Sequence, residues 1–193
     1  MPVSTDRVLD IISHSVAQTQ RLGARLGELA RAGDVYCLEG ELGTGKTSFV
    51  QGLGKGLGVT EPIHSPTFIL ANEHRSGRLP LFHVDVYRVQ GSDEAVGFGL
   101  DDYLSDDGVC VVEWAEKIRP VLPSEHLWLA FRHLGESKRG LLIEAKGSRY
   151  EALLNEFKES VFGIKSSQGW DASDPNSGHG HDDMTGTYHA AGD

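Results

Sequence analysis

The chain has 193 residues, enough for one well-buried domain and too few for two. Hydrophobic residues make up 39% and charged residues 24%, a balance that excludes a natively unfolded chain. With 18 Lys and Arg against 28 Asp and Glu the formal net charge is −10, which argues against a surface built mainly to grip nucleic acid or anionic lipid, so any RNA role is expected to be indirect.

The start, MPVSTDRVLD, has no apolar stretch after a basic one, and no apolar run approaches the roughly 20 residues of a membrane-spanning helix, so no membrane association and a cytoplasmic location are expected. Between Ser15 and Arg31 the residues Leu22, Leu26 and Leu29 recur at spacings of four and three, which predicts an amphipathic helix with Arg21 and Arg25 on a solvated face. Gly33 and Asp34 break that pattern, and Val35-Tyr36-Cys37-Leu38 reads as a buried strand. After the glycine-rich stretch that follows, a helix opens at Ser48. It is expected to end near Leu57, because glycines at 52, 54, 56 and 58 each cost about 0.5–1 kcal/mol relative to alanine inside a helix.

Further strands are predicted at Phe68–Ala71, Leu81–Val86, Val109–Val112, Leu127–Phe131 and Leu141–Ala145, and further helices at Glu94–Leu104 and Tyr150–Phe162. Cys37 and Cys110 lie in apolar runs and read as buried thiols, not as a disulfide framework. From about Lys165 the chain turns Ser-, Gly-, Asp- and His-rich without an apolar face. The expected organisation is a single α/β domain over residues 1–163, a mixed β-sheet flanked by helices that the pattern Gly40-x-x-x-x-Gly45-Lys46-Thr47 between strand and helix makes P-loop NTPase-like, followed by a disordered polar tail over 164–193. Within the tail His179, His181, Asp182 and Asp183 form either a weak transition-metal site or a solvated segment.

Gly40, Gly45, Lys46 and Thr47 match G-x-x-x-x-G-K-[ST], placed as the pattern requires between a strand and a helix. Main-chain N–H groups of such a loop converge on phosphate oxygens at the positive end of the following helix, and glycine allows both the unusual φ angles and the close approach. The loop positions expected around a nucleotide are Glu41, Gly43, Thr44, Gly45, Lys46, Thr47 and Ser48. Lys46 would lie against the β and γ phosphates and Thr47 would supply a hydroxyl oxygen to Mg²⁺. A plain glycine turn between strand and helix is the structural alternative. No N-K-x-D stretch is present to read guanine, so ATP is the expected nucleotide.

The metal needs an acidic partner at the end of another buried strand. Two residues qualify: Glu113, which ends Val109-Cys110-Val111-Val112 as a Walker B acid does, and Asp85, late in Phe82-His83-Val84-Asp85-Val86. With a parallel sheet at both places, either carboxylate emerges at the strand ends where ligands bind in open α/β sheets. Thr67, between the loop helix and the next strand, is either a switch threonine that senses the γ-phosphate or part of a simple turn. For His83 and Arg88, buried hydrogen bonding and surface roles are the plainer readings.

Taken together and in order, GELGTGKT, Ser65-Pro66-Thr67-Phe68, His83-Val84-Asp85-Val86-Tyr87-Arg88 and Glu113-Trp114 resemble the bacterial TsaE family, also called YjeE, over roughly residues 15–147. The resemblance implies a small P-loop ATPase that binds and slowly hydrolyses ATP with Mg²⁺. It would work with the TsaD and TsaB proteins in making N6-threonylcarbamoyladenosine (t6A) in tRNAs that read ANN codons, meeting tRNA only through that complex. It further implies catalytic roles for Lys46, Asp85 and Glu113, metal contacts from Thr47 and Glu113, and nucleotide contacts from Thr67 and Trp114. The chain departs from the family pattern at Glu41, where Asp is usual, at Gln18 before Thr19, and in the tail. A small-molecule P-loop kinase would need a lid and an acceptor pocket, and no arginine-rich lid stands out. A non-catalytic, nucleotide-gated interaction module is the remaining alternative.

Overall fold

The computed structural model describes residues 7–104 and 107–163. The polar tail 164–193, with its His and Asp pairs, lies outside them. In chain order the elements are β1 (Val8–Ser13), α1 (Val16–Leu29), β2 (Val35–Glu39), α2 (Lys46–Leu57), β3 (Ala71–His74), β4 (Leu81–Asp85), α3 (Ser92–Gly97), α4 (Leu100–Tyr103), β5 (Val109–Glu113), β6 (His126–His133), β7 (Arg139–Lys146) and α5 (Ser148–Phe162). A 3₁₀ segment, Ala115–Val121, follows β5.

The seven strands form one sheet in the order β1-β7-β6-β2-β5-β4-β3. The inner strands β6, β2, β5 and β4 are mutually parallel, whereas β7 and β1 on one side and β3 on the other pair antiparallel. This is the expected mixed α/β sheet. Period-two alternation divides each inner strand between two cores. Tyr36, Leu38, Val109 and Val111 face α1, α2 and α5, while Val35, Cys37, Cys110 and Val112 face the residues around α3, α4 and the 3₁₀ segment. Both cysteines are free and buried, and burial pushes the Cys37 thiol up to about 12. Among the described residues no helix is long and apolar enough to cross a membrane.

The glycines of α2 have a use beyond ending it. The helix runs through Gly52, Gly54 and Gly56 to Leu57, and left-handed Gly58 (φ 81°) closes it. A methyl group at Gly52 or Gly56 would collide with the Gln20 or Ala24 carbonyl of α1, and one at Gly23 or Gly27 with the Phe49 or Leu53 carbonyl of α2. Small residues on both helices therefore let the two backbones touch, offsetting the cost of glycine within a helix. Because α2 begins at Lys46, that contact also fixes the helix end that faces the site.

Three expectations are corrected. The strand predicted at Phe68–Ala71 is a turn up to Leu70, and β3 starts only at Ala71. The Pro66 carbonyl accepts the N–H groups of Ile69 (2.9 Å) and Leu70 (2.8 Å), Leu70 has φ 70°, and Phe68 and Ile69 are exposed, so no buried face draws them into the sheet. The helix predicted at Glu94–Leu104 is two short helices, broken where Gly99 takes φ 86°. β1 was not expected at all. Its residues VLDIIS include the polar Asp10 and Ser13, and it forms as an edge strand by pairing with β7 far along the chain.

Candidate functional site

The loop from Gly40 to Thr47 joins β2 to α2 at the carboxyl edge of the parallel strands. Gly40, Gly43 and Gly45 have φ angles of 140°, 77° and 103°, a conformation that residues with a Cβ adopt at a cost. Thr44 braces the turn, its hydroxyl donating to the Glu41 carbonyl at 2.7 Å. The first amides of α2 are left to face the concavity, where the helix dipole favours an anion.

Lys46 is 4% exposed, and its ammonium donates to the carbonyls of Gly40 (2.5 Å) and Glu41 (3.0 Å). The same ammonium lies 4.0 Å from the centre of the Trp114 ring. Burial lowers its pKa, against the opposing pull of the Glu113, Glu116 and Asp85 carboxylates. Trp114 reaches this position through a left-handed backbone (φ 63°), an uncommon state for an aromatic residue. The 3₁₀ segment after it is tied back to the loop strand by Arg119, which donates to Glu39 at 2.9 Å, and the Trp128 indole N–H of β6 donates to the same carboxylate at 2.7 Å.

Asp85 and Glu113 end neighbouring parallel strands in direct register. Their hydrogen bonds give them different places. Glu113 accepts the Thr47 hydroxyl, 2.9 Å from Oε1 and 3.3 Å from Oε2, and Oε1 also lies 2.8 Å from His83 Nε2. Asp85 Oδ2 accepts the hydroxyls of Ser65 (2.7 Å) and Thr67 (2.6 Å), while Oδ1 accepts the Tyr87 N–H (2.9 Å). Of the two acids that the strand pattern left open as metal partner, Glu113 is the one joined to the loop threonine. Thr67 lies in a turn, and its hydroxyl is bonded to Asp85.

These groups surround a cavity of about 330 Å³, at the small end of the range for small-molecule sites. Gly43, Gly45, Lys46, Thr47 and Ser48 line it from the loop, and Thr67, Asp85, Glu113 and Trp114 from the opposite wall. Two predicted residues do not line it: the Glu41 side chain is exposed, and Thr44 is turned back into the loop. Sequence reasoning assigned no role to Ser65, Tyr87 or Leu42, which also line the wall. The first two lie in the SPTF and HVDVYR stretches, and their proximity to a carboxylate was the available signal. A hard divalent cation takes oxygen donors, and the Thr47 hydroxyl with the Glu113 carboxylate is a donor pair of that kind. The amides and Lys46 suit a polyphosphate beside it.

A family model described as threonylcarbamoyl adenosine biosynthesis protein TsaE matches residues 13–141, which include every residue of this cavity. The chain is 52% identical over 138 residues to the tRNA threonylcarbamoyladenosine biosynthesis protein TsaE of Streptomyces coelicolor, covering 68% of this chain and 93% of that one. It is 43% identical over 139 residues to the Bacillus subtilis protein of the same name, covering 72% and 87%. The crystal structure of Bacillus subtilis YdiB superposes with a TM-score of 0.71 at 36% identity, over 80% of this chain and 96% of that one.

Proposed function

The chain belongs to the TsaE family of threonylcarbamoyl adenosine biosynthesis proteins, and from that premise we propose that it is a Mg²⁺-dependent, slowly hydrolysing ATPase that assists t6A formation in tRNA together with TsaB and TsaD, in the cytoplasm. The observation that carries the ATP reading is the meeting of Thr47 and Glu113, 2.9 Å apart at the start of α2 and beside Lys46.

To take a nucleotide, Lys46 exchanges its two loop carbonyls for phosphate oxygens, a charge-assisted contact stronger than the one it gives up. The amides from Gly43 to Ser48 take the remaining phosphate oxygens. Thr47 and Glu113 would hold Mg²⁺ through oxygen, directly or through water. When bound, the cation neutralises charge that builds on the phosphoryl oxygens during in-line displacement. Asp85 holds two hydroxyl donors on one oxygen, so a water that displaced either would be oriented by a carboxylate at the same spot.

No arginine is among the described residues that line the cavity, so the developing charge has Lys46 as its one fixed cation there. Slow turnover alone and faster turnover with the partner proteins follow. A net charge of −10 also favours an accessory ATPase over a subunit that grips tRNA itself. Titrating the folded protein with ATP and Mg²⁺ in a calorimeter tests the binding reading, which an absence of heat would overturn. Equal ATPase rates with and without TsaB and TsaD would overturn the coupling.

A further inference from the structure

We propose that His83 is a positioning residue that holds the Glu113 carboxylate in the one orientation able to receive the divalent cation, an inference that rests on the Mg²⁺ reading of Thr47 and Glu113. His83 is fully buried in the middle of β4, between Leu81 and Asp85 on the α2 side of the sheet. An alkyl side chain would suit that place better if only packing mattered, because the imidazole has one polar partner. Nε2 lies 2.8 Å from Glu113 Oε1, and Nδ1 has no hydrogen-bond partner among the described residues. A buried polar atom left open is a cost, and such costs are retained where they serve a site.

The pairing fixes the proton. An ionised carboxylate only accepts, so Nε2 carries the hydrogen and donates it to Oε1. In the neutral form of such an imidazole Nδ1 is a bare lone pair, which is less costly to bury than an unmatched N–H. Oε1 receives two donors, His83 and Thr47, whereas Oε2 has only the longer 3.3 Å contact from Thr47. Oε2 is therefore the oxygen free to face a cation. Were Thr47 to give a lone pair to the cation, His83 would remain as the described side-chain donor that keeps the carboxylate from rotating. It also restrains Glu113 against the neighbouring Lys46 ammonium, whose charge attracts it.

The test compares the wild type with His83→Leu, which keeps bulk and loses the donor, and His83→Gln, whose amide N–H can replace it. Mn²⁺, a paramagnetic stand-in for Mg²⁺, is titrated in the presence of ATP and followed by electron paramagnetic resonance, and ATP affinity is measured separately in EDTA. We expect His83→Leu to bind Mn²⁺ about 10–100-fold more weakly, as partners of metal ligands usually do when removed, with ATP affinity in EDTA within about twofold of wild type. His83→Gln should recover most of the loss. Mn²⁺ affinity in folded His83→Leu within about twofold of wild type overturns the proposal, as does an equal loss in both variants. Should His83→Leu not fold, ¹⁵N NMR of the wild-type imidazole decides: the Nε2–H tautomer is required, and the Nδ1–H tautomer overturns it. If the wild type itself shows no cation binding with ATP, the Mg²⁺ reading fails first and the His83 proposal falls with it. Normal wild-type binding with an indifferent His83→Leu removes the His83 proposal alone.

Discussion

The two walls of the cleft are built by different means. One wall, the loop from Gly40 to Thr47, continues directly into α2, and α2 is locked to α1 by backbone contacts that only glycine permits. The other, from Ser65 to Leu70, is a turn with Phe68 and Ile69 in solvent, joined to the sheet below it by hydroxyl bonds to Asp85. Packing is cooperative and stiff, whereas a turn held to the sheet by a few part-buried hydrogen bonds opens at lower cost. The first wall is suited to binding a phosphate chain in a fixed place, and the second to responding to what is bound there.

Substitutions that strike the packed wall should have the largest effects. Gly52→Leu keeps helix propensity high but drives a side chain into the Gln20 carbonyl, so the two helices must separate. Overpacking against a backbone should cost about 3 kcal/mol, a fall in Tm of about 6–12 °C for a chain of this length, read by thermal denaturation. An unchanged Tm would mean that the close approach of α1 and α2 is not what stiffens this wall. Lys46→Ala comes next. It leaves the contact of α1 with α2 intact and removes one charge-assisted phosphate contact together with two loop hydrogen bonds, so ATP affinity in calorimetry should fall by about 1.5–3 kcal/mol while Tm falls less than in Gly52→Leu.

The same difference decides what could be read from the amino acids. The packed wall is local: a strand, three glycines, a lysine and a threonine follow one another from Val35 to Thr47, and the chemistry of the loop requires that order. The apolar runs of β2, β4 and β5 were equally plain, because a strand buried on both faces carries its signature within five residues. The wall from Ser65 to Leu70 is not local. Phe68-Ile69-Leu70 has the composition of a strand, and the N–H groups of Ile69 and Leu70 donating to the Pro66 carbonyl, with Phe68 and Ile69 exposed, make it a turn. β1 depends on a partner more than a hundred residues away, and Gly99, at φ 86°, splits what the apolar spacing reads as one helix. The division of labour between Asp85 and Glu113 was invisible for a similar reason. Both end apolar strands, and what separates them is which hydroxyls the connecting chain delivers.

Thr67→Val tests the responsive wall at its anchor. The substitution keeps the shape and removes one of two hydroxyls on Asp85 Oδ2. The loss should be about 1 kcal/mol of local stability, seen as faster amide exchange across residues 65–70 and little change in global Tm. ATP affinity should stay within about threefold while turnover falls, since the loop side still holds the phosphates. Equal losses in affinity and turnover would place Thr67 with the binding wall instead.

Phe68→Ser should do least to the fold. The ring is 80% exposed, and its described ring contact is with the Arg88 guanidinium, 4.1 Å from its centre. An exposed cation–π contact contributes about 0.5–1 kcal/mol at most, so chemical denaturation should move by about 0.5 kcal/mol and ATP titration not at all. A contiguous run of exposed apolar side chains beside a cleft is otherwise a liability for solubility, and Phe68→Ser should lower self-association in light scattering if it acts that way here. A stability loss of 2 kcal/mol or more would mean that the turn is packed after all, and the contrast between the two walls would have to be withdrawn.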